Sequence, residues 1–451
     1  MSLIDHLVRA PAPAADILIT GAHVLDPRES LDGVHDVLVR GGQIARIGDA
    51  GSLEAPDGAE TIDGAGRHLF PAFVDPHVHL RVPGQEHKED LATGTRSAAA
   101  GGYCTVVAMP NTTPVTDSTS ILRSLRDAAL RDARIPVGFM PAITVGMMGK
   151  ELTEMAELRA QGALGFTDDG KPVQSAGMLR KALQYQRLCG GVLALHEEDP
   201  SLSGAGAMHE GEVSAQLGIA GIPSISESTL VARDCAIAGY EGGRVHMQHL
   251  SAIESVDAIR AAKAAGVQVT CEASPHHLTL THEAVRTMDT RMKMNPPLRT
   301  EADRQALIAG LKDGTIDCIA TDHAPHARDE KEVPFEQAPM GTTGLETAFA
   351  SVYTDLVLPG VLDLALVVEK LTVGGSLLDL PVPRIKVGAQ AHVTLVDLDS
   401  EWVVGEHGYA SRSENCCFAG RTLSGRVLLT VAAGSIAHRD TSLTATSEVT
   451  V

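Results

Sequence analysis

Eight short apolar runs alternate with seven longer stretches rich in alanine, leucine, arginine and glutamate through the middle of this 451-residue sequence. The apolar runs are 70–75, 105–110, 135–140, 163–168, 192–196, 244–249, 267–273 and 318–322. Helical patterning fills 92–100, 120–132, 151–160, 178–188, 228–238, 255–264 and 304–311. Strand and helix in alternation predict a parallel sheet with helical crossovers. Eight repeats predict an α/β chain whose sheet closes into a (β/α)8 barrel, with chemistry at the C-terminal strand ends.

The two ends of the sequence read differently. Runs 17–20, 37–40 and 43–47, separated by Gly21, Gly33, Gly41 and Gly42, predict a small antiparallel β unit that stops near Gly64. Similar β-rich runs return at 391–396 and 426–431. Open sheet edges must be paired or covered, so the two ends are expected to fold together into one composite small domain. The expected division is 1–66 for its N-terminal part, 67–379 for the barrel and 380–451 for its C-terminal part.

A net charge of -20 without any basic run argues against nucleic acid or an anionic membrane as partner. An anionic small molecule needs only a local cationic pocket, so it stays open. Seven cysteines at irregular spacing, with no CxxC, predict neither a disulfide framework nor a thiolate metal site. Buried, inert thiols are expected instead. Residues 1–15 lack a long apolar core and carry Asp5, His6 and Arg9, so neither a signal peptide nor a membrane span is expected, and a cytoplasmic setting follows.

The polar residues at the strand ends carry the functional signal. The first run ends in His77 and His79, which share a face because strand side chains alternate. Two imidazoles on one face can grip a borderline metal ion. The second run ends at Asn111, the fourth in Asp168-Asp169, and the fifth in His196-Glu197-Glu198. The sixth ends in His246 and His249, and the eighth in Asp322-His323. A closed barrel brings all of these to one mouth. Strand parity opposes His246 to His249; His249 is the better ligand and His246 is expected to pack outside. Asp168 and Asp169 also oppose each other, and spacing does not choose between them. His276 and His277 are expected to be structural. Glu197 and Glu198 fit either ligand orientation or loop surface.

The motifs VDPHVHLRVPG, MPNTTP, GFTDDG, ALHEED, HMQHLS, EASPHHL, KMNPPLR and IATDHAPH resemble those of the bacterial class I dihydroorotases of the amidohydrolase superfamily, in family order. The resemblance implies a TIM-like barrel with a small β-sandwich. It implies zinc-dependent, reversible cyclisation of N-carbamoyl-L-aspartate to (S)-dihydroorotate in pyrimidine synthesis. His77 and His79 match one metal pair, Asp169 a bridging carboxylate, His196 and His249 the second metal's ligands, and Asp322 a ligand that also shuttles the proton. His79, Arg81, Asn111, Asn295, His326, Met340 and Gly341 match substrate contacts. One or two zinc ions per subunit are implied, two being favoured. Many superfamily relatives bridge their metals with a carboxylated lysine, but here Asp169 takes that position and Lys171 lies past the strand end. Val82 stands where many relatives have glutamate, which touches loop packing alone.

A homodimer is the assembly the resemblance implies, and a complex with an aspartate carbamoyltransferase stays open. Residues 323–341, charged and broken by Pro325, Pro334 and Pro339, are expected to form a mobile lid. Two competing readings are a hydantoinase or allantoinase, and a catalytically silent scaffold. Arg81 with Asn111 favours a carboxylated ring over the first, and the complete ligand set opposes the second.

Overall fold

A computed structural model describes residues 3–443. Eight parallel strands form its centre: β1 (Phe73–Val78), β2 (Tyr103–Ala108), β3 (Val137–Phe139), β4 (Gly165–Thr167), β5 (Val192–Leu195), β6 (Val245–Met247), β7 (Val269–Ala273) and β8 (Cys318–Ile319). Neighbours in sequence are neighbours in space. Strands β1 to β3 pair in order, as do β4 to β8. Backbone bonds from Leu164 to Phe139 (3.0 Å) and from Thr167 to Pro141 (3.0 Å) join the two arcs on one side. On the other side His79 donates to His323 (2.9 Å), and Val78 pairs with His323 in parallel. The ring is therefore closed, and each apolar run of the sequence supplies one stave.

Asp75 helps to weld that seam. Its carboxylate accepts from the Thr321 hydroxyl (2.5 Å) and the His77 amide (3.0 Å), tying β1 to the segment after β8. Burial pushes the Asp75 carboxyl up to about 7, against the hydrogen bonds that favour its charge. Phe73, Phe166, Leu193 and Met247 lie fully buried in the core, each such burial worth about 1.5–3 kcal/mol relative to exposure.

Helices cover the barrel where the pattern places them, including Leu91–Ala100, Thr119–Asp132, Ala176–Cys189 and Ile225–Glu241. Asp90 opens the first with a reciprocal capping box to Thr93, and Thr300 does the same with Asp303 for Glu301–Asp313. The helix expected over 151–160 begins only at Met155, because Leu152 is held in an antiparallel bridge to Thr144. Two helices after β8, Ala348–Val352 and Leu364–Thr372, complete the outer layer and were not anticipated.

Strands from both ends of the chain share one eight-stranded sheet. Its order is Ser435–Arg439, Thr422–Ala432, Val393–Val403, His68–Pro71, Ile17–Asp26, Leu31–Arg40, Gln43–Asp49, with Glu60–Asp63 also paired to Ile17–Asp26. The N-terminal unit is not purely antiparallel. Glu60–Asp63 and His68–Pro71 run parallel to Ile17–Asp26, and the sheet continues past Gly64 to Pro71. The cause is the edge: His68–Pro71 must present its free side to Val393–Val396, and an antiparallel register with that C-terminal strand fixes its direction. All seven cysteines are free thiols, and all but Cys189 are buried. Among the described residues, no helix is long and apolar enough to cross a membrane.

Candidate active site

Six polar side chains from five strand ends meet at the C-terminal mouth of the barrel. His77 and His79 come from β1 and its edge, Asp169 follows β4, His196 follows β5, His249 follows β6 and Asp322 follows β8. All six are buried. His77 Nε2 lies 3.5 Å from both Asp169 Oδ1 and Asp322 Oδ1. His79 Nε2 lies 3.3 Å from Asp169 Oδ2 and 3.0 Å from Asp322 Oδ1. His196 Nδ1 and His249 Nε2 are each 3.8 Å from Asp169 Oδ1 and 2.8 Å from one another.

Two groups of three can each hold an ion: His77, His79 and Asp169, and Asp169, His196 and His249. Asp169 belongs to both, as a bridging carboxylate must. The donor set fits divalent metal. Two ligands about 2.1 Å from a tetrahedral ion sit roughly 3.4 Å apart, inside the observed 2.8–3.8 Å span. The electrostatics agree. Burial opposes charge on Asp322 and Asp169, yet the surrounding histidines hold the first at about 2 and the second well below the carboxylate range. Burial likewise opposes charge on His77, but Glu272 and Asp169 outweigh it and raise the imidazole well above its usual value. The cluster is built to attract positive charge.

Each histidine outside His249 has an outer partner. His77 Nδ1 bonds Glu272 Oε1 at 2.5 Å, His79 Nδ1 bonds Asn111 Oδ1 at 2.8 Å, and His196 Nε2 lies 3.4 Å from Glu198 Oε2. Such contacts fix the tautomer and aim the other ring nitrogen at the centre. Of the two adjacent aspartates, Asp168 turns away. Its carboxylate accepts from the Ile143 amide (2.8 Å) and the Thr144 amide and hydroxyl, which anchors the loop after β3. Lys171 is exposed beyond the strand, where its amide bonds Asp168, so Asp169 alone presents a bridging group.

The expected substrate contacts ring the same mouth. Arg81 is buried, and burial brings its guanidinium down to about 10 although Asp322 and Asp169 oppose the shift. Its Nε donates to the Pro325 carbonyl at 3.0 Å. Asn111 directs Nδ2 toward Asp169 (3.5 Å), and Asn295 Nδ2 donates to Glu198 (2.5 Å). His326 Nε2 donates to the Met340 carbonyl (2.8 Å), while its buried Nδ1 makes no hydrogen bond and lies 3.6 Å from Glu330 Oε2. Gly341 takes φ +132° and packs so that a Cβ would meet Ala324 at 2.7 Å, so only glycine serves there.

Parity arguments fail just past the strand ends. Arg81, His249 and Asp322 all have positive φ, at 60°, 31° and 47°, a costly conformation for non-glycine residues that gathers at functional sites. Arg81 therefore reaches the mouth through a left-handed turn. β6 stops at Met247, so His246 and His249 do not oppose each other. Instead of packing outside, His246 is buried and its Nε2 lies 3.0 Å from Glu272 Oε2. Glu197 is no surface residue either; it is buried beside Asp234, and burial with that neighbour raises its carboxyl. His277 is structural, bonded to Ser274 and to the Pro296 carbonyl, and His276 is buried beside it.

Glu272, inside β7, was not anticipated. Burial pushes its carboxyl up, but His77 and His246 outweigh that and keep it ionised. The available signal was one charged residue within an otherwise apolar run.

The family profile described as Dihydro-orotase-like matches residues 66–255. Curated relatives named dihydroorotase are similar over nearly the whole chain. That of Pelotomaculum thermopropionicum is 45% identical over 427 residues, 94% of this chain and 99% of its own. That of Anaeromyxobacter sp. (strain K) is 46% identical over 433 residues, again 94% and 99%. Among solved structures, L-hydantoinase from Arthrobacter aurescens superposes with a TM-score of 0.83 at 24% identity, covering 95% of this chain and 97% of that one. Dihydropyrimidinase from Brevibacillus agri gives 0.81 at 20% identity, covering 95% and 96%. These two share the fold; the sequence relatives, matched almost end to end, place the chain in the dihydroorotase family.

Proposed function

We propose that the chain is a metal-dependent dihydroorotase, interconverting N-carbamoyl-L-aspartate and (S)-dihydroorotate for pyrimidine synthesis. The observation that carries this reading is Asp169 shared by two buried ligand groups, with Arg81 beside them. Residues His77, His79, Asp169, His196, His249 and Asp322 hold the metal. When bound, divalent ions supply Lewis acidity and lower the pKa of an attacking water.

The protein's own groups do the rest. In ring opening, Asp322 accepts the proton of the attacking water and passes it to the departing ring nitrogen, acting as base and then acid. Its carboxylate is prepared for the first role by the histidines that keep it ionised. Arg81 binds the ring carboxylate. Among the described residues its Nε is the one guanidinium nitrogen with a protein acceptor, which leaves the planar Nη pair for a bidentate contact. Asn111 and Asn295 orient the ring amides, and His326 with Met340 and Gly341 closes the far side. Ring closure reverses these steps.

The motif resemblance supports further detail: class I membership, zinc as the ion with two per subunit, a homodimer and a cytoplasmic setting. It also supports a β-sandwich for the small domain and the division 1–66, 67–379 and 380–451.

A spectrophotometric assay tests the reading. Turnover of dihydroorotate with none of hydantoin or allantoin is expected. Preference for an uncarboxylated ring would reject it in favour of a hydantoinase, and inert protein carrying metal would favour a scaffold.

A further inference from the structure

One oxygen atom touches both ligand groups. Glu272 Oε1 accepts from His77 Nδ1 at 2.5 Å and from the His249 backbone amide at 3.1 Å. His77 belongs to the group with His79, and His249 to the group with His196. The backbone carbonyl of Glu272 also accepts from Leu250 at 2.9 Å, so two consecutive amides after β6 end on one residue of β7. The second carboxylate oxygen is held by His246 Nε2 at 3.0 Å. His246 is itself fixed through Nδ1 to Thr270 Oγ1 at 3.0 Å, two residues before Glu272 on the same strand.

This arrangement does two kinds of work. Accepting from Nδ1 leaves His77 Nε2 bare and directed at Asp169 and Asp322, 3.5 Å away. Holding the amide of His249 fixes a residue with φ of 31°, a conformation that relaxes unless its surroundings impose it. A ligand's outer partner commonly controls metal affinity through orientation. Here a single buried carboxylate orients a ligand of each group.

We propose that Glu272 is a positioning residue that couples the two metal positions, so that losing it weakens both together. The inference rests on the metal-site reading above, but not on the identity of the substrate. The Glu272→Gln side chain keeps the shape and one acceptor, yet cannot accept from His77, His249 and His246 at once.

The test is titration of metal-free full-length protein with Co2+, read by its visible absorption, beside circular dichroism of the metal-free form. With native dichroism retained, Glu272→Gln is expected to lose roughly 10- to 100-fold in affinity at both positions, with altered band shape. Wild-type affinity at both positions would overturn the proposal, as would a loss confined to one. Should Glu272→Gln not fold, His246→Leu is read in its place. It frees one carboxylate oxygen and is expected to lower both affinities by about threefold or more; unchanged affinities there would overturn the proposal equally. Failure of dihydroorotate turnover with normal Co2+ binding would count against the proposed reaction and leave this inference standing.

Discussion

Asp322 sits where His77 and His79 meet it and where its backbone is held at positive φ. On the proposed reading, alanine there removes both a ligand and the proton carrier. Asp322→Ala is expected to cut turnover in both directions by at least about 100-fold, the scale of a lost general base, with the far-ultraviolet dichroism unchanged. Substantial residual rate would take the proton-transfer role from it. Arg81 offers a different signature, since among the described residues only its Nε has a protein acceptor and it belongs to neither ligand group. Arg81→Met should raise the KM for dihydroorotate by roughly 10- to 100-fold, the worth of a charged hydrogen bond, while metal content measured by plasma emission stays at the wild-type level. An unchanged KM would mean that some other group reads the carboxylate.

At the scale of the element, the strands were readable because parallel staves are buried on both faces and must be continuously apolar. The apolar run ending at His77 and His79 could be aligned with its seven counterparts without any structure. What lies one or two residues past a strand was not readable. Period-two reasoning assumes extended backbone, and Arg81, His249 and Asp322 each leave it. Glu272 escaped for the opposite reason: its partners His77 and His246 lie 195 and 26 residues away, and the lone charge in its apolar run does not say what it pairs with in three dimensions.

The segment 323–341 also belongs to this scale. It carries a short helix, Arg328–Lys331, and Lys331 is buried with Nζ donating to the carbonyls of Thr290 (3.0 Å) and Pro339 (2.7 Å). Lys293 Nζ reaches the Glu336 carbonyl at 2.9 Å. Any lid motion must therefore break the bonds to Thr290 and from Lys293 first. Burial, with the charge of Lys293 nearby, lowers Lys331 from 10.5 to about 7. The unfolded chain then binds more protons than the native one between about pH 7 and 10, so this group's contribution makes stability rise with pH across that window. Lys331→Met should flatten that rise in a denaturant series and cost about 1–3 kcal/mol through the unpaired carbonyls it leaves. A slope unchanged from wild type would show that Lys331 titrates normally.

For the molecule as a whole, the proposed metal centre is a fastener as well as a reaction site. The six residues proposed to hold it come from five staves and their following turns, so an ion bound to the native state alone would stabilise the whole ring by mass action. Chelation is expected to lower the calorimetric melting temperature by on the order of 5 °C, and added Zn2+ to restore it. A melting temperature indifferent to chelator would mean that the ring holds its shape unaided.

The sheet drawn from both termini sets an order on biosynthesis. As the polypeptide leaves the ribosome, Ile17–Asp26 and Leu31–Arg40 can pair at once, whereas His68–Pro71 must wait with a bare edge while more than 300 further residues emerge before Val393–Val403 arrives. During that interval the nascent barrel is joined to an unfinished neighbour, and the exposed strand is the place where a chaperone, or a second nascent copy, would find its first hold.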